Sequence, residues 1–169
     1  MIDDMTQTST RKVAVNACHG GFGFSPEATA RLAELQGREC YFYVNQTTPK
    51  LDIREYVRVS EAEAAAAFMF LAFDVSDAYP RIIGGDWNTV PDEQREAQNA
   101  EYSAHRIDAS EMKRDDPLLV QVVEELGDAA NGQYARLRVV EIPADVEWTI
   151  EEYDGYEHIA EEHRTWSAS

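Results

Sequence analysis

The stretch DDPLLVQVVEELG, residues 115–127, indicates the fold most clearly. Asp115 or Asp116 can cap a helix, Pro117 suits its first position, and Gly127 suits the position just beyond its end. The apolar side chains recur at helical spacing and form one face: Leu118, Leu119, Val122, Val123 and Leu126. We therefore predict an amphipathic helix over 117–126.

Strand patterns follow this helix. After a turn at Asn131-Gly132, residues 135–139 alternate apolar and basic side chains. In residues 146–151 apolar side chains alternate with Glu147, Thr149 and Glu151. We expect the basic face of the first strand to lie beside the acidic face of the second. Asp154-Gly155 is a strong hairpin signal before a third short strand over 156–159. The sequence therefore predicts an antiparallel C-terminal β-meander.

The chain before residue 115 mixes helix and strand signals. We predict, in order, a strand over 12–17, a helix from Ser25 to Gln36 ended by Gly37, strands over 40–44 and 56–59, a capped helix over 60–73 and a long irregular segment over about 74–110. Residues 1–10 read as a flexible tail and 11–166 as one globular domain. The predicted class is α+β, a single domain with a mainly antiparallel sheet and about three helices.

The composition of the 169-residue chain limits its partners. A formal net charge of −17 opposes direct binding of nucleic acid, which needs Lys and Arg on the protein. The same charge can attract a basic protein surface, mimic nucleic acid, or serve solubility alone. No apolar run approaches the roughly 18 residues of a membrane span, and the N-terminus lacks signal-peptide features, so we expect a cytoplasmic protein.

A glycine-rich loop lies between the first predicted strand and helix, in the sequence CHGGFGFS at residues 18–25. Loop amides beside a helix N-terminus bind anions, and Arg114 could contribute a cation. The loop matches neither the P-loop nor the dinucleotide fingerprint, so a structural turn is the alternative. The candidate ligand-binding residues are Asn16, Cys18, His19, Gly20, Gly21, Phe22, Gly23, Ser25 and Arg114.

Catalytic and metal sites have weaker support in the sequence. Cys18 beside His19 could pair a nucleophile with a base, but neighbours on an extended chain point to opposite faces, and we expect Cys18 and Cys40 to be small, mostly buried thiols. His158 and His163 are five residues apart, which does not suit a helical zinc pair. We predict no catalytic residue, metal site or cofactor; Trp87 and Trp166 are expected to anchor on the domain, with Trp87 alternatively gripping a partner.

Two segments carry a resemblance to a known group of proteins. VNACHGGFGFSPEA at residues 15–28, and the region from DDPLLVQVVEELG at 115 to the HRTW sequence ending at Trp166, resemble an uncharacterised family of small bacteriophage and prophage proteins. The resemblance implies an accessory protein in the host cytoplasm, and no catalytic residue or ligand can be transferred from it. The middle of the chain, about 46–110, lies outside it.

Three functions follow as expectations. The first is a non-catalytic phage accessory protein that holds a small anionic, nucleotide-like ligand or a host protein. The second is an acidic inhibitor that mimics nucleic acid to block a host enzyme. The third is a small hydrolase that uses Cys18 or a His/Glu metal site. The sequence leaves the oligomeric state open, including a homo-oligomer.

Overall fold

A computed structural model of the chain describes residues 9–48, 53–76 and 90–162. The predictions for the N-terminal tail before residue 9, for Trp87 and for Trp166 therefore lie outside the described residues. The chain divides into two compact units. The first combines Met1–Gly23 with Met112–Ser169, and the second is Phe24–Glu111. The predicted single domain over 11–166 stays a prediction.

The described residues form seven strands, four α-helices and two short 3₁₀ helices. In chain order the strands and α-helices are β1 (Thr10–Asn16), α1 (Pro26–Leu35), β2 (Tyr41–Thr48), β3 (Ile53–Val59), α2 (Glu61–Ala66), β4 (Leu71–Phe73), α3 (Asp92–His105), α4 (Pro117–Leu126), β5 (Leu137–Pro143), β6 (Trp148–Tyr153) and β7 (Tyr156–Glu161). The 3₁₀ helices are Ala109–Glu111 and Gly127–Ala130. All pairs between the strands are antiparallel, which confirms the α+β prediction. Among the described helices, none combines the length and apolar character needed to cross a bilayer.

The first unit is built on the pair of β1 and β5. Val13, Ala14 and Val15 are buried, because β1 lies in the middle of this unit. α4 contacts both strands and buries Leu119, Val122 and Val123 of the predicted apolar face. Val120, which was not predicted, is also buried, whereas Leu118 and Leu126 are only half-buried. Asp116 caps α4 by accepting hydrogen bonds from the amides of Leu118 and Leu119, as the sequence predicts.

β6 and β7 form a hairpin of their own. Asp154 and Gly155 both have positive φ, 50° and 81°, as the predicted two-residue turn requires. The pairing of the preceding strand was predicted incorrectly: β5 pairs with β1, and not with β6. The backbone N–H and C=O groups of β1 are buried and need hydrogen-bond partners. β5 supplies these partners by pairing along the whole of β1. The basic face of β5 therefore does not lie beside the acidic face of β6.

The second unit contains the sheet β3-β2-β4. Phe42, Tyr43 and Phe73 are buried in it. α1 ends before Gly37 as predicted, and the capping box of Ser60 and Glu63 at the start of α2 is present.

Two expectations for the second unit differ from the structure. α2 ends at Ala66, earlier than predicted. Residues 71–73, which were expected to continue the helix, form β4 and pair with β2. Phe73 is fully buried in this pairing, which favours the strand. In the segment 74–110, expected to be irregular, residues 92–105 form α3. α3 buries no residue fully, and Tyr102 anchors it by an edge contact with Phe73, with 5.2 Å between ring centroids.

An ion cluster around Asp74 connects β4, α3 and the chain after α1. The Asp74 carboxylate accepts from Arg38 Nε at 2.9 Å and lies 2.8 Å from His105 Nδ1. The guanidinium of Arg38 also donates to the His105 carbonyl. Burial opposes ionisation of Asp74, but its hydrogen bonds and the positive charges of His105 and Arg38 outweigh burial and lower the pKa of Asp74.

We predict that Asp74→Asn destabilises the protein by about 1.5 kcal/mol at pH 7, because it removes the negative charge that pairs with the Arg38 guanidinium and accepts its hydrogen bond. A carboxyl group with a lowered pKa stabilises the fold above its unfolded pKa, about 3.9, and loses that effect as the pH falls through its folded pKa. The difference between wild type and variant should therefore shrink as the pH falls below about 4. Urea unfolding at several pH values measures it, with exposed Glu101→Gln as the control. An equal difference at pH 7 and pH 2 would contradict the assignment.

Candidate functional site

Asn16, at the end of β1, is the polar centre of the first unit. Its side chain is completely buried. The amide nitrogen donates to the carbonyls of Cys18 and Gly155, and the amide oxygen accepts from the backbone N–H of Arg136 at 2.8 Å. One side chain thus fixes the start of the glycine-rich loop, the tip of the β6–β7 hairpin and the approach to β5.

Arg114 and Glu157 form a largely buried ion pair beside Asn16. Both guanidinium Nη atoms donate to the carboxylate, at 2.7 and 2.9 Å, and the side chains are only 18% and 8% exposed. Glu157 also accepts from the backbone N–H of Asn16 at 2.9 Å, and the N–H of Ala14 donates to the carbonyl of Arg114. These contacts provide hydrogen-bond acceptors for two backbone N–H groups of β1, those of Ala14 and Asn16.

The Arg114 guanidinium lies over the ring of Phe22. The distance from Arg114 Cζ to the ring centroid is 3.5 Å. Planar stacking of this kind adds a cation–π interaction to the bidentate ion pair. The glycine-rich loop is therefore bound to Arg114 through its aromatic side chain.

Gly20 permits a close approach between three segments of the backbone. A side-chain carbon at Gly20 would lie 1.7 Å from the carbonyl oxygen of Tyr134, and one at Gly155 would lie 1.9 Å from the carbonyl oxygen of Gly20. The amides of Gly20 and Gly21 donate to the carbonyls of Cys18 and Tyr134. The loop thus packs its backbone against its neighbours and uses these two amides within the protein.

The structure brings most of the predicted site residues into the first unit. Asn16, Cys18, Gly20, Gly21, Phe22 and Arg114 contact one another or the same neighbours, as described above. The Gly23 carbonyl accepts from Gly132, and the His19 ring lies 5.4 Å from the Tyr156 ring. Ser25 belongs to the second unit, where its hydroxyl accepts from Ala28 and caps α1.

These contacts favour the alternative that the loop is a structural turn. A ligand that used the amides of Gly20 and Gly21 would have to displace two internal hydrogen bonds. The charge of Arg114 is already matched by Glu157. The ligand-binding role of the nine residues stays a prediction, and its physical basis is weaker than the sequence indicates.

The geometry around Cys18 does not resemble an activated nucleophile. Its thiol lies 3.3 Å from the Asn16 amide oxygen and 3.2 Å from the Tyr134 carbonyl, while the His19 ring packs on Tyr156. Cys40 lies in the second unit. Burial is the main cause that raises the pKa of its thiol to about 12, and a raised pKa disfavours the reactive thiolate. Within the described residues, no group of three or more His, Cys, Asp or Glu side chains is arranged to hold a metal.

One face of the β6–β7 hairpin is exposed, and sequence reasoning missed it. Register places Tyr153 opposite Tyr156 and Glu151 opposite His158. Tyr153 is 79% exposed and Tyr156 is 43% exposed, and the Glu151 carboxylate lies 3.0 Å from His158 Nε2. We call these four residues together with His19 the tyrosine face.

The opposite face of the hairpin contains Glu157 and explains why the tyrosine face is exposed. Successive residues of a strand point to opposite sides, so Glu157 and Ile159 point one way and Tyr156 and His158 the other. Glu157 is held by Arg114 in the interior of the first unit. The alternation of side chains along residues 156–159 could have indicated that the two tyrosines share a face. The sequence alone did not identify Arg114 as the partner of Glu157, so it did not show which face is exposed.

The hairpin and its flanks carry a strong negative charge. Residues 145–162 contain no Lys or Arg. They contain eight carboxylates: Asp145, Glu147, Glu151, Glu152, Asp154, Glu157, Glu161 and Glu162. Among them Glu157 is buried and paired with Arg114, whereas the other seven are exposed.

Comparison of the chain with protein-family models, with curated proteins and with solved structures gave no match.

We predict that Glu157→Gln destabilises the protein by about 3 kcal/mol, because it leaves the Arg114 charge buried without a partner. Chemical unfolding measures the change, and Glu161→Gln on the same strand is the exposed control. Adding Arg114→Met to Glu157→Gln should recover part of the loss, because it removes the unpaired charge while the amide oxygen introduced at position 157 can still accept from the backbone N–H of Asn16. A Glu157→Gln variant as stable as the control would refute the importance of the pair.

We predict that Gly20→Ala destabilises the protein by about 2 kcal/mol or more, since the new methyl group would overlap the Tyr134 carbonyl. Gly21→Ala is the matched control, because nothing lies within 4 Å of a side-chain carbon there. Thermal unfolding of both variants measures the difference. Equal melting temperatures would show that the loop relaxes freely at Gly20.

Proposed function

We propose that the protein is a non-catalytic accessory protein of a bacteriophage that binds a basic surface of a host protein through the β6–β7 hairpin. The observation that carries the proposal is the charge of residues 145–162, which combine eight carboxylates with no Lys or Arg. The phage origin rests on the resemblance of the two end segments of the chain.

The placement of the charge supports binding rather than solubility alone. Glu147, Glu151 and Glu161 are exposed on one two-stranded hairpin, and the turn adds Asp154. Carboxylates held by a hairpin keep a fixed spacing, so a basic surface can meet several of them without first ordering a flexible segment. A largely buried ion pair also fixes this hairpin close to its turn, through Glu157.

Nucleic-acid mimicry is the form of binding that the charge favours. Proteins that bind DNA or RNA present Lys and Arg to rows of phosphates. The exposed carboxylates on both faces of the hairpin offer such a surface a concentrated negative charge. An inhibitor that occupies the nucleic-acid groove of a host enzyme is therefore the second candidate function.

A small anionic ligand at the glycine-rich loop is the less favoured proposal. The amides of Gly20 and Gly21 and the guanidinium of Arg114 all have partners inside the protein. The negative hairpin beside this loop would also repel an anion.

The experiment is affinity capture from bacterial lysate at low and high salt, with a hairpin variant carrying Glu147→Gln, Glu151→Gln and Glu161→Gln. We expect wild type to retain a discrete basic protein at low salt and to release it at about 0.5 M salt, because salt screens exposed charges. The hairpin variant should lose most of this partner.

The matched control removes three exposed acids from α3, with Glu93→Gln, Glu96→Gln and Glu101→Gln. It has the same net charge as the hairpin variant and should retain the partner. Equal loss in both variants would show that net charge alone is responsible. Absence of any salt-sensitive partner of wild type would refute the proposal.

A further inference from the structure

We infer that the tyrosine face binds an arginine side chain of the basic partner. This inference rests on the proposed function and names the chemistry of its contact. The tyrosine face comprises His19, Glu151, Tyr153, Tyr156 and His158, as defined above.

The two tyrosines form an exposed aromatic pair. Tyr153 and Tyr156 are opposite each other across the hairpin, next to its turn. Directly opposed side chains in antiparallel strands lie about 5 Å apart at Cβ, so one flat group can contact both rings. The His19 ring supports Tyr156 from the glycine-rich loop, with centroids 5.4 Å apart. The His19 and Tyr156 rings are tilted by 41°. Together with Tyr153 they place aromatic surface from two segments of the chain on one side of the hairpin, and we call this surface the platform.

Carboxylates surround this platform. Asp154 follows Tyr153 directly in the turn, and Glu151 lies two residues before it on the same face of β6. A guanidinium stacked on a tyrosine ring can direct its N–H groups sideways to carboxylates, which gives a cation–π contact and charge-assisted hydrogen bonds together. Tyr, Trp and Arg are the side chains that contribute most to protein interfaces.

Arginine fits this surface better than the alternatives. Lysine has a compact, strongly hydrated charge that cannot stack as a plane on a ring. A second copy of the chain would bring the same seven exposed carboxylates against the first, and like charges oppose such a contact. The charge of the hairpin and the flat aromatic pair therefore point to a guanidinium of a basic protein partner.

The test titrates the full-length protein with two probes of equal charge, hexa-arginine and hexalysine, by isothermal titration calorimetry. We expect wild type to bind hexa-arginine more tightly by roughly fivefold or more. Tyr153→Leu with Tyr156→Leu should bring this ratio close to one. Tyr153→Phe with Tyr156→Phe keeps both aromatic faces and should preserve the ratio.

The outcomes separate the inference from the proposed function. If the leucine variant keeps the preference for hexa-arginine, the inference is wrong, although binding that still requires the hairpin carboxylates supports the proposed function. If the hairpin carboxylate variant binds both peptides like wild type, the proposed function itself fails.

Sedimentation of wild type and the leucine variant is the third measurement. A smaller mass for the leucine variant would mean that a second copy covers the face, and would overturn the inference.

Discussion

The first unit depends on one buried arrangement, in which Arg114 holds Glu157 by two hydrogen bonds and Glu157 holds the backbone of Asn16. Removing two charges from water has a large energetic cost, which the structure offsets with bidentate geometry and stacking on Phe22. The arrangement joins β1, β7 and the segment before α4. Each of these elements would otherwise leave polar groups without partners in the interior.

This arrangement also explains the contrast between the two faces of the β6–β7 hairpin. Because Glu157 is fixed inward, alternation along the strand turns Tyr156 and His158 outward. The aromatic pair and the surrounding carboxylates are therefore presented by an ordered element. A binding surface of this kind loses little conformational entropy when a partner arrives.

Local signals in the sequence predict much of the secondary structure. The cap at Asp116, the capping box at Ser60 and the Asp154-Gly155 turn each depend on neighbouring residues, and all three form as expected. Pairings between distant segments were not predictable. β1 and β5 are more than 120 residues apart, and Arg114 and Glu157 are 43 apart, so no local pattern relates them.

The remaining differences have local causes that a sequence does not resolve. The alanine-rich stretch before Phe68 has helical propensity, which conceals the strand β4 behind it. α3 buries no residue fully, so its sequence has no apolar face to identify it. The sequence predicts a ligand site at the glycine-rich loop. It does not predict that the Gly21 amide and Arg114 find partners inside the protein, because these partners, Tyr134 and Glu157, lie far along the chain.

The division of the chain has a consequence for its synthesis on the ribosome. Phe24–Glu111 is continuous, so every segment of the second unit has emerged before the segments that complete the first. β1 emerges early, but its partner β5 ends at Pro143 and its ion pair needs Glu157. β1 therefore stays without its native partners through most of translation, and the apolar side chains of Val13, Ala14 and Val15 are buried only when the last third of the chain has been made.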